Sequence, residues 1–373
     1  MNIDERVALV REVGEEILTE EELRELLSKK KNPVAYDGFE PSGRIHVAQG
    51  LLRAINVNKM TKAGCTFKML VADWHAWLNN KLGGDLDKIN AVGEYFVEVW
   101  KACGMDLDNV KFVRCSELVD DGEYWKKVIQ VSKHATIQRM LRCGQIMGRK
   151  DNELQYTAQL LYPAMQAADI FQLGVDICQL GMDQRKVNIL ARELAPKLGW
   201  SKPVAVHHHM LMGLQQQSAE QRITHGKMSA TEERQPVEDK VERTIALKMS
   251  KSNPDSAIFM TDSEKEVERK IGNAYCPAKQ VEENPILEYC RYIIFQLQKD
   301  LVIDRPAKFG GELRIAGYDE LAKSFAEGKL HPMDLKKAVA TAINAHLEPV
   351  RKHFAKGKPQ KMLEQVQSFD VTR

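Results

Sequence analysis

Between Val34 and His207 the chain alternates strand-like and helix-like segments, and this rhythm constrains the fold more than any other feature. Val34 to Gly38, Phe67 to Asp73, Val110 to Cys115, Val175 to Leu180 and Val204 to His207 are short apolar runs, whereas Ile45 to Ala63, Leu86 to Cys103 and Gln184 to Leu198 carry helical periodicity. Parallel strands need long crossovers, which helices of this size supply, so the alternation predicts an α/β fold with a Rossmann-like, doubly wound parallel sheet. Ligands in such sheets sit beyond the carboxyl ends of the strands, where Tyr36 and Asp73 fall. A helical stretch at about 120–160 interrupts the rhythm and reads as a connective insertion. From Ser263 onward helices dominate, broken at Pro277, Pro285, Pro306, Gly310-Gly311 and Pro332, which predicts a separate all-α domain. The expected division is therefore 1–262 and 263–373, with a polar loop insertion at about 215–246.

Composition narrows the class. The seven cysteines are odd in number and form no CxxC pair, so reduced thiols are expected, with neither a disulfide framework nor a metal site. The N-terminus is rich in glutamate (Glu12, Glu15, Glu16, Glu20, Glu21, Glu22), unlike a signal or transit peptide. No apolar run of about 18 residues occurs, so a cytoplasmic chain with no membrane partner is expected. A net charge of +2 means that any nucleic-acid surface must be local. Lys336, Lys337, Arg351, Lys352, Lys356, Lys358 and Lys361 offer one such place; on charge alone, a phosphate-binding face and a solvated helix face fit equally.

Four stretches carry chemistry. The turn Gly38-Phe39-Glu40-Pro41-Ser42-Gly43 leads from a strand toward a helix, where backbone N–H groups can approach an anion and His46 would lie beside it. Lys248-Met249-Ser250-Lys251-Ser252 sets two ammonium groups on a loop of small residues that can close over a phosphate chain. Tyr162, Gln166 and Asp169 stand at i, i+4 and i+7 on one helix face amid apolar residues. Buried there, they need partners: a substrate bearing an amine and a hydroxyl, or one another in a structural network. Finally, Phe309 can stack on a splayed base and Asp334 can accept from a guanine edge, although His331-Pro332 ending one segment and Asp334 capping the next helix fits as well.

These residues carry a family resemblance. His46-Val47-Ala48-Gln49 is similar to the HIGH signature, and Lys248 to Ser252 is the KMSKS signature, of class I aminoacyl-tRNA synthetases. Tyr162-Pro163 through Gln166 to Asp169 resembles the YPxxQxxD pocket motif of the tyrosyl branch, and the turn at Phe39–Gly43 resembles its eukaryotic and archaeal members. The likeness runs from about Pro33 to Phe354, except for Gln215 to Ala246, which holds a second partial copy, Gly226 to Ala230, read as a decoy.

The resemblance implies tyrosine activation by ATP, with Mg²⁺ on the phosphates, followed by transfer to the terminal ribose of tRNA(Tyr). It implies that Asp169 and Tyr36 bind the phenol and that Tyr162, Gln166 and Gln184 bind the ammonium group, with Asp73 and His75 at the same pocket and His75 as an orienting residue. For ATP it implies Gly38 and Gly181 beside the adenosine, Asp183 on the ribose, and Met210 and Leu211 against adenine, where core packing explains the last two nearly as well. His46, Gln49, Lys248 and Lys251 become the catalytic set, completed by Met249 and Ser250. Gln49 replaces the second histidine of the HIGH signature, so the lysines should carry more of the charge stabilisation. The connective segment becomes a homodimer interface, or alternatively a lid on its own subunit. Phe309, His331 and Asp334 would grip the first anticodon base. Rival readings are the tryptophanyl branch, against which Asp169 and Tyr36 argue because an indole has no hydroxyl, and an inactive tRNA-binding or scaffolding relative.

Overall fold

A computed structural model describes residues 1–147, 156–215, 247, 249 and 253–369. The chain divides into two compact units, one of Met1–Gly43, Asn56–His209 and Gln365–Arg373, the other of Arg44–Ile55 and Met210–Glu364. Arg44–Ile55 and the stretch just before residue 263 thus group with the residues that follow it, which a linear division does not capture.

The first unit is built on a six-stranded sheet in the order β1-β6-β5-β2-β3-β4, from Gly14–Leu18 (β1), Val34–Phe39 (β2), Thr66–Val71 (β3), Val110–Arg114 (β4), Ile177–Gly181 (β5) and Val204–His208 (β6). Strands β2 to β6 are parallel, and β1 runs antiparallel against β6. The doubly wound expectation holds, with β1 as an antiparallel edge hidden inside a glutamate-rich stretch. β5 and β6 are buried along their whole length, as parallel strands covered on both faces must be.

Helices α1 (Ile3–Val13) and α2 (Glu20–Lys29) flank β1; Asn2 caps the first in a capping box and Thr19 caps the second. Buried Arg6 of α1 ties it to α2 and to the residue after the helix that follows β2, donating to the carbonyls of Leu27 (2.7 Å) and Ala63 (2.6 Å). Helix α3 (Leu51–Lys62) starts later than its apolar pattern suggests, because Ile45–Gly50 is an irregular turn. A short α4 (Asp73–Leu78) follows β3, and α5 (Leu86–Ala102) buries Ile89, Val92, Phe96, Val99 and Trp100. Each such side chain contributes about 1.5–3 kcal/mol by leaving water. A short α6 (Cys115–Val119) follows β4, and the connective segment contains α7 (Gly122–His134) and α8 (Ile137–Cys143). Helices α9 (Thr157–Gln172) and α10 (Arg185–Leu198) flank β5 in sequence, with a 3₁₀ turn at Met182–Gln184.

The second unit holds α11 (Glu264–Gly272), α12 (Pro285–Tyr289), α13 (Tyr318–Ala326), α14 (Pro332–His353) and most of α15 (Gly357–Gln367). A small antiparallel ladder, β7 (Leu301–Ile303) with β8 (Leu313–Ile315), accompanies these helices. Among the described residues no helix is long and apolar enough to cross a membrane.

Candidate active site

The pocket in the first unit is set by β2, α4, α7 and α9. Asp169, fully buried on α9, accepts from the Tyr124 hydroxyl of α7 through Oδ1 at 2.9 Å. Its other oxygen, Oδ2, lies 3.2 Å from His75 Nε2 but off the line a hydrogen bond requires, so it has no hydrogen-bonded partner among the described residues. Burial pushes the Asp169 carboxyl up to about 8, opposed by the Tyr124 hydrogen bond, and pushes His75 down to about 3. Tyr36 on β2 is equally buried, and its hydroxyl likewise lacks a bonded partner among the described residues. Burial raises its pKa well above the usual value and the Asp169 charge adds to the rise, while Gln166 lies near enough to oppose it without being aligned for a hydrogen bond.

The face at Tyr162, Gln166 and Asp169 is therefore no closed network, because each residue bonds elsewhere. The Tyr162 hydroxyl donates to Glu40 Oε1 at 2.7 Å, and its ring meets His75 edge-on at 4.7 Å. Gln166 Nε2 donates to Gln184 Oε1 at 3.0 Å, and Gln184 in turn donates to the Ile146 carbonyl at 3.2 Å. Both donations leave oxygen lone pairs on Tyr162 and Gln166, which suits a cation. The Oδ2 of Asp169 can accept a hydrogen bond from a hydroxyl whose oxygen accepts one from Tyr36, which suits a phenol.

Four more of the expected residues belong to the first unit. Asp73 does not offer a free carboxylate to the pocket: its Oδ1 accepts from the N–H groups of Trp74 (2.8 Å) and Ser116 (3.0 Å), and its Oδ2 from Ser116 Oγ (2.8 Å). It fixes the start of α6 and sits close enough to raise Asp169 further. Gly38 pairs with Leu70 of β3, whose side chain occupies the space beside it. Gly181 has ordinary extended backbone, and Asp183 stands partly exposed on the 3₁₀ turn beyond β5, at the strand end where ligands gather in such sheets.

Glu40 and Tyr124 are the pocket residues that the sequence did not reveal. Besides Tyr162, Glu40 accepts from Asn79 Nδ2 at 3.0 Å, and Lys81 stands 3.7 Å away. Its signal was an acid inside the apolar Gly38–Gly43 turn. Tyr124 lies 45 residues from Asp169 in sequence and had no local signal.

In the second unit, His46 lies in the irregular turn before α3, paired across an antiparallel bridge with Phe259, and Gln49 follows it, half-buried. Gly43, at the end of the preceding turn, has φ 119°, a conformation that favours glycine. Leu211 is buried and accepts at its carbonyl from the Met249 N–H at 3.3 Å, and Met210 precedes it half-buried. Lys248, Ser250 and Lys251 lie outside the described residues, as do Arg149, Lys150 and the second copy at Gly226 to Ala230. Phe309 is 60% exposed, with the Lys308 ammonium 4.9 Å from its ring centroid. His331, not Asp334, is the N-cap of α14, accepting from the Met333 N–H at 3.2 Å, and Asp334 stands in the first turn.

Known proteins account for this arrangement. The family model described as tRNA synthetases class I (W and Y) matches residues 28–246 and 240–348. The cytoplasmic tyrosine–tRNA ligase 1 of Arabidopsis thaliana is 47% identical over 375 residues, which span 100% of this chain and 90% of that relative. The crystal structure of tyrosyl-tRNA synthetase complexed with L-tyrosine from Pyrococcus horikoshii superposes with a TM-score of 0.88 at 42% identity, covering 99% of this chain and 100% of that one. The Leishmania major enzyme in complex with tyrosinol gives 0.85 at 43% identity, covering 99% of this chain, which spans 52% of that longer chain. With its sequence matched along its whole length and its sheet in place, the chain belongs to the tyrosyl-tRNA synthetases of the class I family.

Proposed function

We propose that the protein activates tyrosine with MgATP to tyrosyl-adenylate and transfers the tyrosyl group to the 3′-terminal ribose of tRNA(Tyr). The observation that supports this reading is the buried Asp169 oxygen, which has no hydrogen-bonded partner among the described residues and suits a phenolic O–H, with the Tyr36 hydroxyl as the second contact. A phenylalanine side chain leaves both groups unsatisfied, which is how the pocket rejects it. The ammonium group takes the lone pairs of Tyr162 and Gln166, whose orientation Glu40 and Gln184 set.

The tyrosine carboxylate attacks the α-phosphorus of ATP, the bond to the bridging oxygen breaks, and pyrophosphate leaves. A ribose hydroxyl of the tRNA then attacks the acyl carbon, and AMP leaves. Neither step needs a covalent enzyme intermediate, so positioning and charge stabilisation suffice. On the sequence pattern, His46, Gln49, Lys248 and Lys251 meet the phosphates, Asp183 holds the ribose, Gly38 and Gly181 flank the adenosine, and Met210, Leu211, Met249 and Ser250 complete the nucleotide site. Mg²⁺ enters as part of the substrate.

The protein forms a homodimer through its connective segment, a reading supported by Ile129 and Ile137, which expose 55% and 73% of their surface there. Residues 263–373 read the anticodon through Phe309, His331 and Asp334, supported by the exposed ring of Phe309 beside Lys308. The Arabidopsis relative carries the word cytoplasmic in its name, and we place this chain in the same compartment. The deciding experiment is ATP–pyrophosphate exchange: it should require tyrosine and run far slower with phenylalanine, and equal rates with the two amino acids would overturn the assignment.

A further inference from the structure

Two stretches far apart in sequence are stitched together inside the second unit. Ala257 to Asp262 runs beside Arg44 to Val47: the Val47 N–H donates to the Ile258 carbonyl and the Met260 N–H to the Ile45 carbonyl, both at 2.9 Å. His46 lies between these two bonds, opposite Phe259. Asp262 then closes the arrangement. Its Oδ1 accepts from Arg44 Nη2 at 2.7 Å, and its Oδ2 accepts from Lys270 Nζ at 2.7 Å and from the Phe259 N–H at 2.9 Å. Arg44 and Lys270 also lie against the Phe259 ring, at 4.4 and 4.8 Å from its centroid. Lys270 donates further to the Ala257 carbonyl at 2.8 Å, and Arg351 of α14 to the Asp262 carbonyl, also at 2.8 Å.

We propose that Asp262, Arg44 and Lys270 form a positioning clamp that fixes the His46 turn for the phosphate chemistry of adenylate formation. The inference rests on the function proposed above. Stability alone accounts poorly for such a group, since Asp262 and Lys270 are almost wholly buried and a buried ion pair gains little over well-packed apolar side chains. Directional bonds do what apolar packing cannot: they fix Phe259, and through the main-chain pairing they fix the register of His46. The stretch paired with the His46 turn begins at Ala257, five positions after Ser252 in sequence. Asp262, Arg44 and Lys270 need touch no substrate to act in this way.

Full-length Asp262→Asn and Arg44→Met should be assayed by tyrosine-dependent ATP–pyrophosphate exchange, with tyrosine affinity measured by equilibrium binding and folding followed by thermal melting. Misplacing a charge-stabilising group should lower kcat roughly 10- to 100-fold. Tyrosine affinity should stay within about twofold, because the lost interaction serves the transition state. Arg44→Lys keeps a cation beside Asp262 and should recover most of the rate. Arg44 is a quarter exposed, so its variants carry the test even where Asp262→Asn fails to fold. A folded Arg44→Met enzyme at the wild-type rate, a tyrosine affinity falling in step with kcat, or an Arg44→Lys enzyme no faster than Arg44→Met would each overturn the clamp alone. A wild-type protein without tyrosine-dependent exchange would overturn the functional reading together with the clamp.

Discussion

The pocket around Asp169 and the turn around His46 treat a buried carboxyl group in opposite ways. Among the described residues, wholly enclosed Asp169 keeps one oxygen without a hydrogen-bonded partner, and Tyr36 beside it keeps a hydroxyl in the same condition. Asp262, nearly as enclosed, has both oxygens engaged by Arg44, Lys270 and the Phe259 amide. An unfilled buried acceptor costs free energy, so the first arrangement persists where a ligand completes it; a filled one costs little and holds its surroundings still. One region is built to receive and the other to hold.

Substitutions can break or sharpen that contrast. The largest effect is expected for Asp169→Ala, which removes the acceptor for the phenol: kcat/KM for tyrosine in pyrophosphate exchange should fall roughly 100- to 1000-fold. A fall of only a few-fold would mean that the oxygen is not reserved for substrate. Gly50→Ala probes the holding side, since a Cβ there would overlap Met260 Sδ and Cγ in a fully buried spot. It should destabilise the protein by about 1–3 kcal/mol in chemical denaturation, and an unchanged midpoint would show that Met260 moves aside freely. Tyr124→Phe deletes the bond that orients Asp169, at a cost of about 1–2 kcal/mol, read as a rise in tyrosine KM with the melting temperature nearly preserved.

The remaining test reads a slope instead of a single rate or midpoint. Asp169 titrates near 3.8 when unfolded and near 8 when folded, so its contribution to stability is complete below the lower value and is lost as pH rises through the upper one. His75 acts in the opposite sense, contributing above 6.5 and losing that contribution as pH falls toward about 3. Asp169→Asn should therefore flatten the decline in stability between about pH 4 and 8, measured by denaturation without tyrosine. An unchanged slope would show that the carboxyl titrates normally.

Much of this was legible in the sequence because parallel strands declare themselves as apolar runs and their crossovers as amphipathic helices. β1 did not, since Glu15 and Glu16 look like more of the acidic helix before them and the strand exists only because β6 accepts it. Tyr162, Gln166 and Asp169 were visible as one helix face. Their partners were not, because Glu40 and Tyr124 reach them from other elements, across 122 and 45 residues of chain. Asp73 shows the same limit: in sequence it is a carboxylate at a strand end, and only three dimensions bring Ser116 to it.

The sheet's two margins are also defended against unwanted company. β1 is five residues long, irregular between Gly14 and Glu16, and acidic, while β4 at the opposite border is equally short and bears Lys111 and Arg114. Such borders give a strand of another copy little to zip onto, which disfavours edge-to-edge growth of the sheet.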